Sequence, residues 1–121
     1  MILEKPWGII REYTLNQVCT VKMIVVQAGQ ATGLHYHNLR DDMWVILDDG
    51  LEVQVGDEVH HPAAGDEFIV RAGTPHRLRA GDVPGRVLEI DFGYTMEEDD
   101  FHLEEGGDHP GSGAGSTVEE S

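Results

Sequence analysis

The chain has 121 residues, enough for one domain with a single core, and a protein of this size buries roughly two-thirds of its unfolded surface without staples. Hydrophobic residues make up 40% and charged residues 26%, as in soluble globular proteins. Eight Lys and Arg against 23 Asp and Glu give a formal net charge of −15, which excludes the basic footprint of a nucleic-acid binder and disfavours docking on anionic lipid.

Met1 to Pro6 holds no apolar run of the length a signal peptide or a membrane span needs. Cys19 is the single cysteine, so neither a disulfide framework nor a cysteine-rich zinc site is available, and a cytosolic location is the expectation. The residue sits in the apolar run Val18-Cys19-Thr20-Val21 and reads as a small buried hydrophobe. From Val18 to Gln27, Cys19, Val21, Met23 and Val25 share one face of an extended segment. Leu51-Glu52-Val53-Gln54-Val55 and Leu88-Glu89-Ile90-Asp91-Phe92 alternate with period two, and glycines punctuate the chain at short intervals from Gly8 to Gly93. No segment up to Gly93 sustains a helical period over three turns, so the fold class is all-β, a sandwich or barrel of short strands. Trp7 and Trp44 read as packing residues at the barrel ends. From Glu104 onward the chain is Gly, Ser and acidic residues with almost nothing apolar, which predicts a β-barrel over 1–103 and a flexible, disordered acidic tail over 104–121.

Two stretches carry the chemistry. The first is Gly29-Gln-Ala-Thr-Gly-Leu-His35-Tyr-His37, followed by Asp41 and Asp42. In a strand, His35 and His37 point to one face about 7 Å apart, a spacing from which two imidazoles lean onto one cation. The acidic pair offers an oxygen ligand. The second stretch, Gly65-Asp-Glu-Phe-Ile-Val-Arg-Ala-Gly73-Thr-Pro-His76-Arg77, is a turn, a strand and another turn that bring His76 back beside the first pair in a small barrel. Three neutral imidazoles and one carboxylate form an N/O site for Zn, Fe, Mn, Ni or Co with a position left open for substrate. By strand alternation Arg77 points away from His76 unless the strand is bulged, so on geometry alone a structural pairing with Glu89 or Asp91 on a neighbouring strand is as open as a role in the site.

The two stretches resemble the paired motifs of the cupin superfamily: glycine, five residues, His-x-His, an acidic residue and a glycine at Gly50, then Gly-x-x-His. More narrowly, the chain resembles the type II mannose-6-phosphate isomerase branch. The matching pieces are Glu4-Lys5-Pro6-Trp7-Gly8, Val21-Lys22 before Gly29, Arg40-Asp41-Asp42-Met43-Trp44-Val45, Pro75-His76-Arg77-Leu78, Glu89-Ile90-Asp91-Phe92-Gly93-Tyr94 and Glu98-Asp99-Asp100-Phe101. Together they span residues 4–103. The chain departs from the branch at Asp42, where Glu is usual, at His35, where Gln is common, and at Arg71 and Ala80. The resemblance implies a double-stranded β-helix, the cupin jelly roll, with one divalent metal ion on His35, His37, Asp42 and His76. It also implies an isomerase that interconverts mannose 6-phosphate and fructose 6-phosphate. In that reading Arg77, Arg40 and Lys22 contact a sugar or sugar phosphate, and Glu89 is the catalytic base. Fold analogy adds a homodimer paired through strand edges. Two other function classes stay open on the same residues: an iron-dependent cupin dioxygenase, and a non-catalytic carbohydrate-binding or regulatory cupin.

Overall fold

The computed structural model describes residues 1–108. The chain opens with a hairpin of β1 (Ile2–Lys5) and β2 (Gly8–Arg11), which pair only with each other, leaving Trp7 exposed at the turn rather than packed at a barrel end. There follow β3 (Cys19–Val26), β4 (Gln30–Ala31), β5 (Leu34–Tyr36), β6 (Asp42–Ile46), β7 (Leu51–Val55), β8 (Glu58–His60), β9 (Glu67–Val70), β10 (His76–Ala80) and β11 (Gly85–Phe92). A short 3₁₀ turn at Glu97–Asp99 leads into β12 (Phe101–Glu104) and β13 (Gly107–Asp108). Among the described residues there is no α-helix, and no helix is long and apolar enough to cross a membrane.

The remaining strands form two antiparallel sheets that pack on one another across the core, the arrangement expected of a double-stranded β-helix. One has the order β3-β11-β6-β9. In the other, β10 lies between β7 on one side and β4 and β5 on the other, with β8 outside β7 and with β12 and β13 outside β5 and β4. Glu104, Gly107 and Asp108, which composition assigns to the tail, are therefore in strands paired to the barrel, because backbone hydrogen bonds to an open sheet edge need no apolar side chains. The remainder of the expected tail, 109–121, lies outside the described residues.

Alternation along the strands sorts the side chains. Val87 pairs across from Ile24 and Ile46, so these three form an apolar row inside the barrel, joined by Val26, Trp44, Leu51, Val53, Val70, Leu78 and Ala80. Two positions further along β11 the inner row turns polar: Glu89 lies across from Lys22 and Trp44, and Asp91 across from Thr20 and Asp42. On the facing sheet the same end carries His76, paired with His35. One end of the barrel is thus a core and the other a site.

The outer face of the four-stranded sheet holds a second apolar cluster of Met43, Val45 and Ile90, with Cys19 half-buried against it. Val21, Met23 and Val25, the apolar face seen in the sequence, project from this outer side of an edge strand and are exposed. Period two shows which residues share a face, but not which face meets the core.

Gly85 opens β11 where no side chain fits: a Cβ there would lie 2.5 Å from Cγ and Cδ2 of the buried Leu51. Gly85→Ala is expected to lower stability by about 1–3 kcal/mol through this overpacking. Chemical denaturation measures it, and an unchanged midpoint would contradict the packing described.

Candidate metal centre

His35 and His37 stand two residues apart from the middle of β5 to the loop after it, and His76 opens β10 directly opposite His35. Gly73, at φ +81°, turns the chain into β10 and donates its N–H to the His37 carbonyl, which ties the two histidine-bearing segments together. The three rings are buried, with centroids 4.4 Å apart for His35 and His76, 5.2 Å for His35 and His37 and 5.3 Å for His37 and His76.

Each ring donates its Nδ1–H to a backbone carbonyl: His35 to Gly33 at 2.9 Å, His37 to Asp99 at 2.9 Å and His76 to Thr74 at 2.8 Å. Those bonds select one tautomer and leave Nε2 as the nitrogen each ring offers inward. One ring nitrogen from each of the three lies within 4.8 Å of the others, close to the span of donors about 2.1 Å from a common ion. Nε2 of His37 and of His76 is buried without a hydrogen-bond partner among the described residues. Burial, reinforced by neighbouring positive charge, drives the His76 pKa down to about 3, and burial also lowers that of His37, so both rings are neutral at pH 7. Buried, neutral imidazole lone pairs turned towards one another are a donor set suited to a divalent cation. The residues fit a metal.

Asp42 is the adjoining carboxylate. Its Oδ2 lies 3.8 Å from His37 Nε2, while its Oδ1 accepts a 2.8 Å hydrogen bond from Arg40 Nε. It belongs also to a second buried group with Glu89 and Asp91, whose carboxylate oxygens lie within 4.8 Å of one another. Two cations face these three acids. Lys22 Nζ stands 3.4 Å from Asp91 and 3.9 Å from Glu89, and Arg40 Nε stands 3.7 Å from Asp91. Trp44 packs its indole edge on His76 and donates Nε1–H to Glu89 at 2.8 Å.

Burial, with the charge of Asp91 beside them, pushes Asp42 up to about 7 and Glu89 up to about 8. Burial would raise Asp91 as well, but hydrogen bonds from the other two acids and the charges of Arg40 and Lys22 outweigh it and hold Asp91 below the usual carboxylate range. Asp91 is therefore the most readily ionised of the three acids, and Asp42 and Glu89 beside it hold their protons more tightly than ordinary carboxyl groups.

A cavity of about 260 Å³ opens beside the triad, lined by Lys22, His37, Arg40, Thr95, Met96, Glu97 and Asp100. Of the three cations considered from sequence for substrate contact, Lys22 and Arg40 line this cavity. Arg77 does not. It leaves β10 on the side opposite His76, and its partners are Gln54, directly across in register at 2.8 Å, and Glu104 at 3.4 Å, not Glu89 or Asp91. Of the cavity wall from Thr95 to Asp100 the sequence marked only Glu98-Asp99-Asp100, as part of the resemblance and without a role, and His102, which the sequence places in or near the tail, stacks its ring on His35 at 5.6 Å from the strand paired with β5. The alternation of Glu89 with Asp91 and of Asp42 with Trp44 is the pattern from which the buried acid cluster was readable.

A model of the family described as mannose-6-phosphate isomerase C-terminal matches residues 2–105. The xanthan biosynthesis protein XanB of Xanthomonas campestris pv. campestris (strain B100) is 31% identical over 98 residues, which are 80% of this chain and 21% of that protein. Mannose-1-phosphate guanylyltransferase 2 of Escherichia coli O157:H7 is 27% identical over 80% of this chain and 20% of its own length. The chain thus spans about a fifth of the length of these curated relatives. Among solved structures, a sugar phosphate isomerase of the cupin superfamily from Silicibacter pomeroyi superposes with a TM-score of 0.57 at 21% identity, covering 66% of this chain and 53% of that one.

The acid cluster generates a pH signature. The folded pKa of Glu89, at about 8, exceeds its unfolded value, so its contribution to stability is fully present below the unfolded pKa and is lost as pH rises through the folded one. The melting temperature of the metal-free protein is expected to fall between about pH 5 and 8, and to fall less in Glu89→Gln, whose amide is neutral throughout and still accepts from Trp44. Calorimetry across that window checks it, and identical slopes for the two proteins would contradict the assignment.

Proposed function

The chain belongs to the mannose-6-phosphate isomerase C-terminal family of cupin domains, and from that membership and the site beside its cavity we propose that it is a metal-dependent sugar-phosphate isomerase. The proposed reaction interconverts an aldose and a ketose phosphate of the mannose 6-phosphate and fructose 6-phosphate type. One observation carries this reading: in a buried triad of carbonyl-oriented imidazoles, one ring, His37, lines a cavity that two cations also line.

His35, His37 and His76, with Asp42 as the oxygen donor, hold a divalent ion in this proposal, whether Zn, Mn, Fe, Ni or Co. Such an ion would supply Lewis-acid polarisation of the substrate carbonyl. The rest is the work of the chain's own groups. Lys22 and Arg40 orient the substrate through its anionic oxygens, with the planar guanidinium suited to phosphate. Thr95, Glu97 and Asp100 on the opposite wall present partners for hydroxyl groups. Glu89 is proposed as the group that takes and returns the proton moved between adjacent carbons. With its pKa held up to about 8, its carboxyl exchanges a proton near neutral pH, and Lys22, 3.9 Å from it, lines the cavity. Arg77 has no part in this scheme. A homodimer belongs to the same reading: β3 is an edge strand whose exposed Val21, Met23 and Val25 offer a second copy an apolar face.

Elemental analysis followed by a coupled assay with mannose 6-phosphate tests the proposal. About one equivalent of metal per chain and formation of fructose 6-phosphate are expected. His76→Ala should lose the metal and the turnover, and Glu89→Gln should keep the metal and lose about 10²–10⁴-fold in turnover. Bound metal without turnover would overturn the isomerase in favour of a carbohydrate-binding cupin, and iron with oxygen uptake would put the dioxygenase in its place.

A further inference from the structure

The wall of the cavity and one of the three imidazoles are held by the same residue. Asp99 is buried at the end of the 3₁₀ turn, in a segment of which Thr95, Met96, Glu97 and Asp100 face the cavity. Its backbone carbonyl accepts the Nδ1–H of His37 at 2.9 Å. Its carboxylate accepts the next two backbone N–H groups, those of Asn38 at 2.8 Å and Leu39 at 3.0 Å. Three hydrogen bonds thus join one residue to three consecutive residues that are 60 to 62 positions away in the chain. No other contact described for His37 fixes its ring in the same way: the carboxylate of Asp100 lies 3.7 Å from Nδ1, beyond hydrogen-bond distance.

We propose that Asp99 is a positioning residue that locks the 95–100 wall to the His37 ring, so that the shape of the cavity and the metal-binding tautomer of His37 are set together. The proposal rests on the reading of His37 as a metal ligand, but the lock itself is a property of the metal-free chain. The physical reason is geometric. A carbonyl selects the Nδ1–H tautomer only while it stays on the ring's axis, and the two amide bonds to the Asp99 side chain hold it there. Coupling of this kind is reciprocal: a ligand that displaces Met96 or Glu97 also disturbs His37, and a metal on His37 stiffens the wall.

The test compares wild type with Asp99→Ala, Asp99→Asn and the exposed control Glu98→Gln. Two readouts are taken: cobalt(II) affinity by chelator competition, and the ring ¹⁵N signals of His37 in metal-free protein. Wild type and Glu98→Gln are expected to show a single Nδ1–H tautomer. Asp99→Ala should show averaged ring signals and cobalt affinity lower by about tenfold to a hundredfold. Asp99→Asn, which keeps one acceptor oxygen for one of the two amides, should fall between. If Asp99→Ala does not fold, an intermediate shift in Asp99→Asn still supports the lock, and wild-type signals there overturn it. Wild-type affinity and tautomer in Asp99→Ala, even with a lower melting temperature, would overturn the proposal while leaving the metal site standing. Failure of wild type to take up cobalt would overturn the metal reading instead, and the ¹⁵N signals would still report the Asp99–His37 link.

Discussion

The polar end of this barrel depends on how three buried carboxyl groups share the charge of two cations. Asp42, Glu89 and Asp91 are almost completely withdrawn from water, as is Arg40, and Lys22 reaches them from the cavity wall. Three buried carboxylates side by side would be prohibitive in a low-dielectric interior. The arrangement lowers that cost by spreading the three pKa values apart: Asp91 ionises most readily, and Asp42 and Glu89 are pushed up to about 7 and about 8. The Trp44 hydrogen bond to Glu89 ties the group to the apolar core, and Asp42 Oδ2 lies 3.8 Å from His37 Nε2.

This balance bears on recognition. The whole chain is strongly acidic, with a formal charge of −15, and an anionic ligand approaches against that field. Lys22 and Arg40 bring positive charge to a cavity lining that also carries the carboxylates of Glu97 and Asp100, with the charge of Asp91 beside the two cations.

Much of this was legible in the sequence for a simple reason: strand alternation is a local rule, and the site is made mostly of alternating residues. His35 with His37, Asp42 with Trp44, and Glu89 with Asp91 each follow period two, and a glycine turn places His76. The resemblance over residues 4–103 supplied the order in which these pieces meet. Features set by long-range register were not legible. Arg77 was correctly turned away from His76, but its partner was decided by β7, which places Gln54 opposite it. Val21, Met23 and Val25 share a face as expected, yet the face that meets the core carries Ile24 and Val26. Trp7 sits on a projecting hairpin. The role of Asp99 was hidden because a backbone carbonyl has no signature in a sequence, and pairing beyond Glu104 was hidden because it uses backbone alone.

The central claim is that three imidazoles, turned inward by backbone carbonyls, form one metal site. X-ray absorption on protein loaded with one equivalent of cobalt or zinc tests this most directly. The account predicts a shell of N/O donors at about 2.1 Å with the outer-shell scattering of three imidazole rings. A shell of oxygen donors without imidazole scattering would contradict it, and would place the ion on the carboxylates instead.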